Sequence, residues 1–253
     1  MIYFFASPKR SGSHFQMAII TEALTSKGVA FQYLNQEHPE IGQNNVKEVA
    51  QILSGYSKID KLFIAKGHYG TEKLRDMLLR VSNIKIFIIW REVRDQLVSY
   101  YYYLKDRRNV SFKGFDDYYW SIGYKFVIEQ LEYRKVWTNV NKDPRIRVSH
   151  FALLKTDFAY EANKLFSFVG INDIDIDNIK NEVSLESFRK KSGDINGTFY
   201  RKGAIDEYKS VISNRKILDN INFIFKCDSK PAMRQLMLVY QQIKKFMMKN
   251  GET

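Results

Sequence analysis

The chain alternates short apolar runs with segments in which apolar residues recur every three or four positions. Runs rich in β-branched and aromatic residues predict strands at residues 2–5, 29–33, 61–66, 85–90 and 145–149. The longer spacing predicts helices at residues 14–27, 72–81, 123–138, 158–169 and 231–248, and one that begins near Asp95. This alternation predicts an α/β fold with a mostly parallel central sheet flanked by helices. The pattern does not predict the strand order.

Two polar stretches interrupt the alternation and predict loops. Residues 35–45 are polar. Residues 184–213 are polar and contain several glycines, which is typical of a long loop, either an ordered one that carries function or a flexible one. Neither repeats nor a linker composition divides the chain. The 253 residues therefore predict a single domain at 1–253, with the helix at 231–248 packed on it.

Composition limits the class of protein. Hydrophobic residues are 45% and aromatic residues 15% of the chain, which is enough for a sizeable core and too much for a disordered protein. Cys227 is the only cysteine, so no internal disulfide is possible, as expected in a reducing compartment. No apolar run approaches the roughly 20 residues of a membrane helix, and residues 1–6 do not resemble a signal peptide. We expect a cytoplasmic protein without a membrane span.

Positive charge is concentrated near the end of the chain. The net charge is +12, and residues 189–253 hold 14 Lys and Arg against six Asp and Glu. Such an excess suits a solvated face, an anionic cofactor, an anionic acceptor, or a membrane or nucleic-acid surface. The aromatic residues are not interleaved with the basic ones as in a nucleic-acid-binding module, so nucleic acid is not an expected partner.

The most informative segment follows the first predicted strand, where two cations, a glycine and two serines lead into a helix: Lys9, Arg10, Ser11, Gly12 and Ser13. The N-terminus of a helix presents backbone N–H groups, and the helix dipole favours an anion there. The pattern G-x-x-x-x-G-K-[ST] of nucleotide triphosphatases is absent. The segment therefore predicts a site for a phosphate-like group that does not require ATP chemistry.

Two other predicted strands also end in residues suited to chemistry. The third ends at Lys66-Gly67-His68, and the fourth is followed by Arg91, with Ser99 eight residues later in the next helix. Ligands of open parallel sheets bind beyond the carboxyl ends of the strands, so we expect these residues near the basic loop. An ordinary histidine pKa of about 6.5 suits a base at neutral pH. No Cys and His cluster has metal-ligand spacing, so no metal is expected.

Four motifs resemble, in the same order, those of sulfotransferases that use 3′-phosphoadenosine 5′-phosphosulfate (PAPS). The segment Arg10-Ser11-Gly12-Ser13-His14-Phe15 is similar to the 5′-phosphosulfate loop of that family. Lys66-Gly67-His68 falls where the family has Lys-Thr-His, and Arg91 with Ser99 resembles its 3′-phosphate motif. Arg201-Lys202-Gly203 is similar to its C-terminal Arg-Lys-Gly. The resemblance spans residues 1 to about 213.

This resemblance implies a P-loop-like phosphosulfate-binding loop and an enzyme that transfers the sulfonyl group of PAPS to a hydroxyl or amine of a small-molecule or glycan acceptor. The product would be 3′-phosphoadenosine 5′-phosphate (PAP). The implied catalytic residues are His68 as general base, Arg10 and Lys66. The implied cofactor-binding residues are Lys9, Arg10, Ser11, Gly12, Ser13, His14, Phe15, Arg91, Ser99, Leu185, Arg201, Lys202 and Gly203.

The chain departs from the family at four places, one of which is the segment 204–207, where a second glycine of many members is absent. Lys9 stands where the family often has no residue, and His150-Phe151-Ala152 replaces a Tyr-Glu-Asp segment. Leu185 replaces an aromatic residue that packs on adenine, so Phe15 is expected to carry more of that stacking. Residues 35–57 and 105–120 are candidate walls of the acceptor pocket.

Two other functions stay open at this point. One is a nucleotide or sugar kinase-like phosphotransferase, which would need Mg²⁺-binding residues. The other is a non-catalytic basic module that binds polyanions. The oligomeric state is not predicted.

Overall fold

Among the described residues, five strands form one parallel sheet. The computed structural model describes residues 1–42, 45–140, 142–193 and 202–228. The strands are β1 (Ile2–Ala6), β2 (Phe31–Tyr33), β3 (Leu62–Gly67), β4 (Ile84–Trp90) and β5 (Ile146–His150). They lie in the order β2-β3-β1-β4-β5. The strand order reverses beside β1, and ligands of open α/β sheets bind at such a point, outside the carboxyl ends of the strands.

The sheet belongs to the first of two compact units, which comprises the described residues of Met1–Glu92 and Glu132–Ile205. Its helices are α1 (Ser13–Ser26), α2 (Leu34–Glu37), α3 (Val46–Tyr56), α4 (Glu72–Arg80), α8 (Phe151–Thr156), α9 (Phe158–Val169), α10 (Ile176–Glu182) and α11 (Leu185–Ser192), with a 3₁₀ turn at Pro39–Gly42.

Side chains of β1 alternate between two cores, because successive residues of a strand point to opposite faces. Phe4 packs in a core with α3 and α4, whereas Phe5 packs in a core with α1, α8 and α9. All five residues of β1 are buried, as expected for a central strand covered on both faces. This burial holds β1 rigidly, so the loop that follows it starts from a fixed position.

The second unit comprises Val93–Leu131 and the described residues from Asp206 onward. Its helices are α5 (Val93–Arg108), α6 (Phe115–Tyr118), a π-helical turn (Tyr119–Gly123), the first part of α7 (Tyr124–Thr138), α12 (Tyr208–Val211) and α13 (Arg215–Asp228). The Asp95 carboxylate accepts the backbone N–H groups of Asp206 and Tyr208 at 2.9 and 3.0 Å. This buried carboxylate joins the start of α5 to the start of α12 inside the unit. None of the helices that the structure describes is both long and apolar enough to cross a membrane.

The predicted α/β class and parallel sheet are confirmed, and each strand boundary lies within two residues of its prediction. The loop predicted at residues 35–45 is wrong in part, because α2 and the 3₁₀ turn lie there. A tertiary contact explains the difference. The Asn35 side chain donates to the Lys66 carbonyl at 2.9 Å and accepts the Lys66 N–H at 2.8 Å, so it anchors α2 to β3.

The long loop predicted at residues 184–213 is also wrong in part. The Ser184 hydroxyl accepts the N–H of Ser187 at 3.2 Å and caps α11, and α12 lies near the other end of the segment. Helix α3 is not predicted by the apolar pattern; Asn45 caps it by accepting the N–H of Glu48. The helix predicted at residues 231–248 lies outside the described residues.

Candidate functional site

The register of the sheet brings the ends of β1 and β3 together. Ala6 is paired with Gly67, so the next residues of the two strands, Ser7 and His68, emerge side by side. The Ser7 hydroxyl accepts the backbone N–H of Ile89 in β4 at 3.1 Å, which fixes Ser7 between neighbouring strands. Its carbonyl oxygen lies 2.6 Å from Nδ1 of His68. Because a carbonyl can only accept, Nδ1 carries the proton, and Nε2 of the neutral ring is left as a proton acceptor.

Positive charges surround His68. Burial lowers the pKa of His68 to about 4, and the charges of Lys66, Lys9 and Arg10 act in the same direction, whereas the bond to Ser7 opposes them. The imidazole is therefore neutral at pH 7, with Nε2 ready to accept a proton.

Lys66 contacts a second histidine from the predicted phosphate loop. Its Nζ lies 3.1 Å from Nε2 and 3.4 Å from Nδ1 of His14. An ammonium group can only donate, so His14 accepts and is itself neutral. Burial and the charge of Arg10 lower the pKa of Lys66 to about 8, while burial and neighbouring cations, Lys66 first, lower that of His14 to about 3. His14 thus holds the lysine at the end of β3.

The turn after β3 requires glycine at position 67. A Cβ atom there would lie 2.5 Å from Cε1 of Tyr69. Tyr69 is fully buried, and its hydroxyl donates to the carbonyl of Ile41 at 2.6 Å, while its own carbonyl accepts the indole N–H of Trp137 at 2.8 Å. The packing of Tyr69 explains why Gly67 stands where the resembling motif has threonine, and it locks the turn that carries His68.

The predicted phosphate loop bends sharply before α1. Arg10 and Gly12 have positive φ values of 61° and 102°. A Cβ atom on Gly12 would lie 2.5 Å from Cδ2 of Phe151, so glycine is required by both its φ and its surroundings. Gly12 has no side chain to cap α1, and the first turn of α1 contains no acidic residue, so an anion is favoured there. The Ser11 hydroxyl is buried and donates to the carbonyl of Pro8 at 2.8 Å, which stabilises the bend.

Arg91 forms a second cationic region together with a residue that the sequence analysis missed. Its Nη1 and Nη2 donate to the carbonyls of Arg10 at 3.4 Å and Ala204 at 2.9 Å. Its guanidinium lies 4.6 Å from the centre of the Phe151 ring. Lys155 of α8 lies nearby: burial and then the charge of Arg91 lower its pKa, and its Nζ is 5.6 Å from the centre of the Phe15 ring. Lys155 lies three residues after His150-Phe151-Ala152, the segment that departs from the family pattern. That departure is the only feature of the sequence that draws attention to this region.

Phe15, the predicted stacking residue, already has aromatic neighbours. Its ring centre lies 6.2, 6.4 and 6.5 Å from those of Phe151, Phe158 and Phe188. Leu185 is the first residue of α11 and is partly buried.

The remaining predicted cofactor-binding residues make fewer contacts with the residues described above. Lys9 and Lys202 are exposed, and Gly203 has a positive φ of 57° and lies beside the Phe151 ring. Ser99 lies in α5, which belongs to the second unit. Arg201 lies outside the described residues. Roles for Ser99 and Arg201 remain predictions.

A cavity of about 390 Å³ opens beside the end of β3. Its lining includes His14, Met17, Tyr33, Gln36, Lys66 and His68. Gln36 belongs to the range 35–57, which is predicted as a candidate acceptor wall. Tyr33 lies outside that range, since the sequence pattern predicts it only as the last residue of a strand.

Comparisons with known proteins identify the fold and the family. The structure is similar to that of a mouse sulfotransferase in complex with PAP, with a TM-score of 0.70 and 16% identity over 95% of this chain and 88% of that chain. It is also similar to retinol dehydratase in complex with retinol and PAP, with a TM-score of 0.67 and 17% identity over 91% of this chain and 81% of that chain. These likenesses show a shared fold.

A curated relative and a family model extend the comparison. The probable aminopeptidase 1 of Sulfurisphaera tokodaii is 26% identical over 191 residues, which are 73% of this chain. The chain spans about a fifth of the length of that protein, since the match covers 21% of it. A family model of the sulfotransferase domain matches residues 3–237. Because this match covers nearly the whole chain, including the strands that carry the site, the protein belongs to the sulfotransferase domain family.

Proposed function

We propose that this protein transfers the sulfonyl group of PAPS to a hydroxyl or amine of a small-molecule or glycan acceptor, with His68 as the general base. The observation that carries the proposal is the hydrogen bond from Nδ1 of His68 to the Ser7 carbonyl. It leaves Nε2 as the proton acceptor of a residue that lines the cavity together with Lys66. Sulfonyl transfer in general follows from the family, whereas the donor, the base and the acceptor are the proposal.

The described residues fit a donor with two anionic ends. One set of cations, Arg10 and Lys66, lies by the N-terminus of α1, where Gly12 leaves the first turn uncapped. A second set, Arg91 and Lys155, lies by the Phe15 and Phe151 rings. Phosphate and sulfate oxygens favour such donors, and aromatic faces suit a purine. The first set would hold the 5′-phosphosulfate, and the second the 3′-phosphate.

When bound, PAPS supplies a sulfonyl group attached to a phosphate oxygen, and this bond is the one that breaks. Nε2 of His68 would accept the acceptor's proton as the acceptor atom forms its bond to sulfur. The electron pair of the broken bond stays on the phosphate oxygen of PAP, where Arg10 and Lys66 would stabilise the added negative charge. His68 would then release the proton to solvent.

The low pKa of His68 in the protein without ligand fits this role. Burial is the largest cause of the low value, and the charges of Lys66, Lys9 and Arg10 add to it because they disfavour a protonated ring. An anion bound among them would offset that effect and raise the pKa of His68. A base whose pKa moves towards neutrality only with the donor bound would be active only in the complex.

The test combines a binding measurement with an activity measurement. We expect calorimetry to show PAP binding without Mg²⁺, and labelled PAPS to transfer its sulfonyl group to a member of an acceptor library. An Arg10→Ala variant should weaken PAP binding, whereas a Lys47→Ala variant, which alters an exposed cation of α3, should not. Binding of ATP only with Mg²⁺, with no binding of PAP, would contradict the proposal and favour a phosphotransferase.

A further inference from the structure

The cavity beside His68 is small for a ligand site. Sites for small molecules commonly measure about 300–1,000 Å³, and this cavity has about 390 Å³. Its apolar wall includes Met17 and Ile64. Such a space suits a compound built on one ring and is too small for an extended polycyclic or oligomeric acceptor to be enclosed.

The charges around the cavity have one sign. Among the described residues that line it, Lys66 carries a positive charge, His14 and His68 are neutral at pH 7, and none has a carboxylate. The acidic residues of the adjoining segment are engaged elsewhere, since Glu37 accepts from Tyr56 and Glu40 contacts His38. Burial, and after it the charge of Arg10, lowers the pKa of Lys66, so a second positive charge beside Lys66 is disfavoured. A cationic ligand would therefore be repelled, because nothing in the lining offsets its charge.

Two neutral polar side chains of the lining are available to a ligand. Asn35 is committed to the backbone of Lys66 through both ends of its amide. In contrast, neither the Tyr33 hydroxyl nor the Gln36 amide makes a hydrogen bond to another residue within the described part of the chain. Each can both donate and accept, as a hydroxyl-bearing ligand requires.

We infer that the acceptor is a one-ring hydroxyl compound, neutral or anionic, that Tyr33 and Gln36 bind, and that amines of the same size are excluded. The inference rests on the proposed function and narrows its acceptor class. An aliphatic amine is protonated at neutral pH, so it would enter as a cation, whereas an alcohol or phenol enters uncharged. The acceptor oxygen forms the bond to sulfur, its proton passes to Nε2 of His68, and the bond from sulfur to the phosphate oxygen of PAPS breaks with its electron pair left on PAP.

The test uses pairs of compounds matched in size, such as benzyl alcohol with benzylamine and cyclohexanol with cyclohexylamine. A panel of other one-ring hydroxyl compounds is measured beside them. Binding is measured by calorimetry on the PAP-saturated protein, and transfer is measured from labelled PAPS. We expect the hydroxyl member to bind and react better by about tenfold or more, as like charges in one site oppose binding. Equal or better binding of the amines, or no binding by any one-ring compound to the PAP complex, would overturn the inference.

Variants of the cavity test whether Tyr33 and Gln36 bind the acceptor. Tyr33→Phe and Gln36→Ala should weaken acceptor binding several-fold with unchanged PAP affinity, and Gln36→Glu should shift the preference towards the amine. Gln51→Ala, on the exposed face of α3, is the matched control and should change neither acceptor binding nor PAP affinity. Unchanged acceptor affinity in both cavity variants would refute the roles of Tyr33 and Gln36. Failure of the wild type to bind PAP would instead reject the proposed function itself.

Discussion

Nδ1 of His68 donates a hydrogen bond of 2.6 Å to the carbonyl oxygen of Ser7. The two residues are 61 positions apart in the chain and meet because β1 and β3 are paired in parallel with Ala6 opposite Gly67. This bond sets the tautomer of His68: Nδ1 carries the proton, so Nε2 is the nitrogen that can act as a base.

Replacing His68 should remove the base without removing the donor site. His68→Asn keeps a side-chain N–H for the Ser7 carbonyl, yet it should lower kcat about 10²- to 10⁴-fold, the usual effect of losing a general base. PAP affinity, measured by calorimetry, should stay close to that of the wild type. His150→Asn, at the exposed end of β5, is the control. Turnover of His68→Asn near that of the control would show that His68 is not the base.

The pH dependence of kcat/KM for PAPS should be bell-shaped. Activity should fall as the pH drops through about 4, because His68 becomes protonated, and should fall as the pH rises through about 8, because Lys66 loses its proton. kcat/KM is the right quantity, since it reports groups of the free enzyme. In Lys66→Arg the alkaline fall should move to higher pH. An alkaline limb that is identical in the two proteins would assign that limb to another group.

Acid should destabilise the protein through two partly buried histidines, His14 and His68. Their folded pKa values, about 3 for His14 and about 4 for His68, lie below the ordinary value of 6.5, so below pH 6.5 the unfolded chain binds protons that the folded chain does not. The free energy of unfolding should therefore decrease as the pH falls from 6.5 towards 4, by up to about 1.4 kcal/mol per pH unit for each histidine. Urea denaturation at pH 7 and pH 5 measures this. The variant carrying both His14→Gln and His68→Asn should show a smaller decrease in the free energy of unfolding. If its decrease equalled that of the wild type, these histidines would not be the source of the pH dependence.

Lys155 and Arg91 should act on one end of the donor. Lys155→Ala should weaken PAP binding by about 1.5–3 kcal/mol, the range for a hydrogen bond to a charged group. Binding of adenosine 5′-phosphosulfate, which lacks the 3′-phosphate, should not change. Arg91→Ala should show the same selectivity, and Lys164→Ala on α9 serves as the control. If Lys155→Ala weakened both ligands equally, its contact with the 3′-phosphate would be excluded.

Gly67 should not tolerate a side chain. Gly67→Ala places a Cβ atom 2.5 Å from the buried Tyr69 ring, so it should destabilise the fold by about 1–3 kcal/mol, as overpacking does. Gly55→Ala in α3 is the matched control: no atom lies within 4 Å of its added Cβ, and alanine favours a helix. Thermal and urea denaturation measure both. A Gly67→Ala protein as stable as Gly55→Ala would show that Tyr69 can move aside.

The spacing of apolar residues predicts the secondary structure of this protein, whereas contacts between distant residues set the geometry of its site. The strands and the main helices follow from apolar spacing, because the same periodicity that buries one face also specifies the element. The end of β3 shows what local spacing does not predict. The sequence marks Lys66 and His68 as candidate site residues, but nothing local predicts that His14 accepts from Lys66 or that Asn35 pairs with the backbone of Lys66.

The sequence by itself determined the α/β class, the parallel strands and the order of the motifs from Arg10 to Gly203, since these depend on residue type and spacing along the chain. Only the tertiary structure decided the tautomer of His68, the place of Lys155 beside Arg91 and the lining of the cavity by Tyr33 and Gln36. The reason is physical. Hydrogen-bond partners, burial and the sum of nearby charges depend on distances in space, and the pairing of strands sets those distances between residues far apart in the chain.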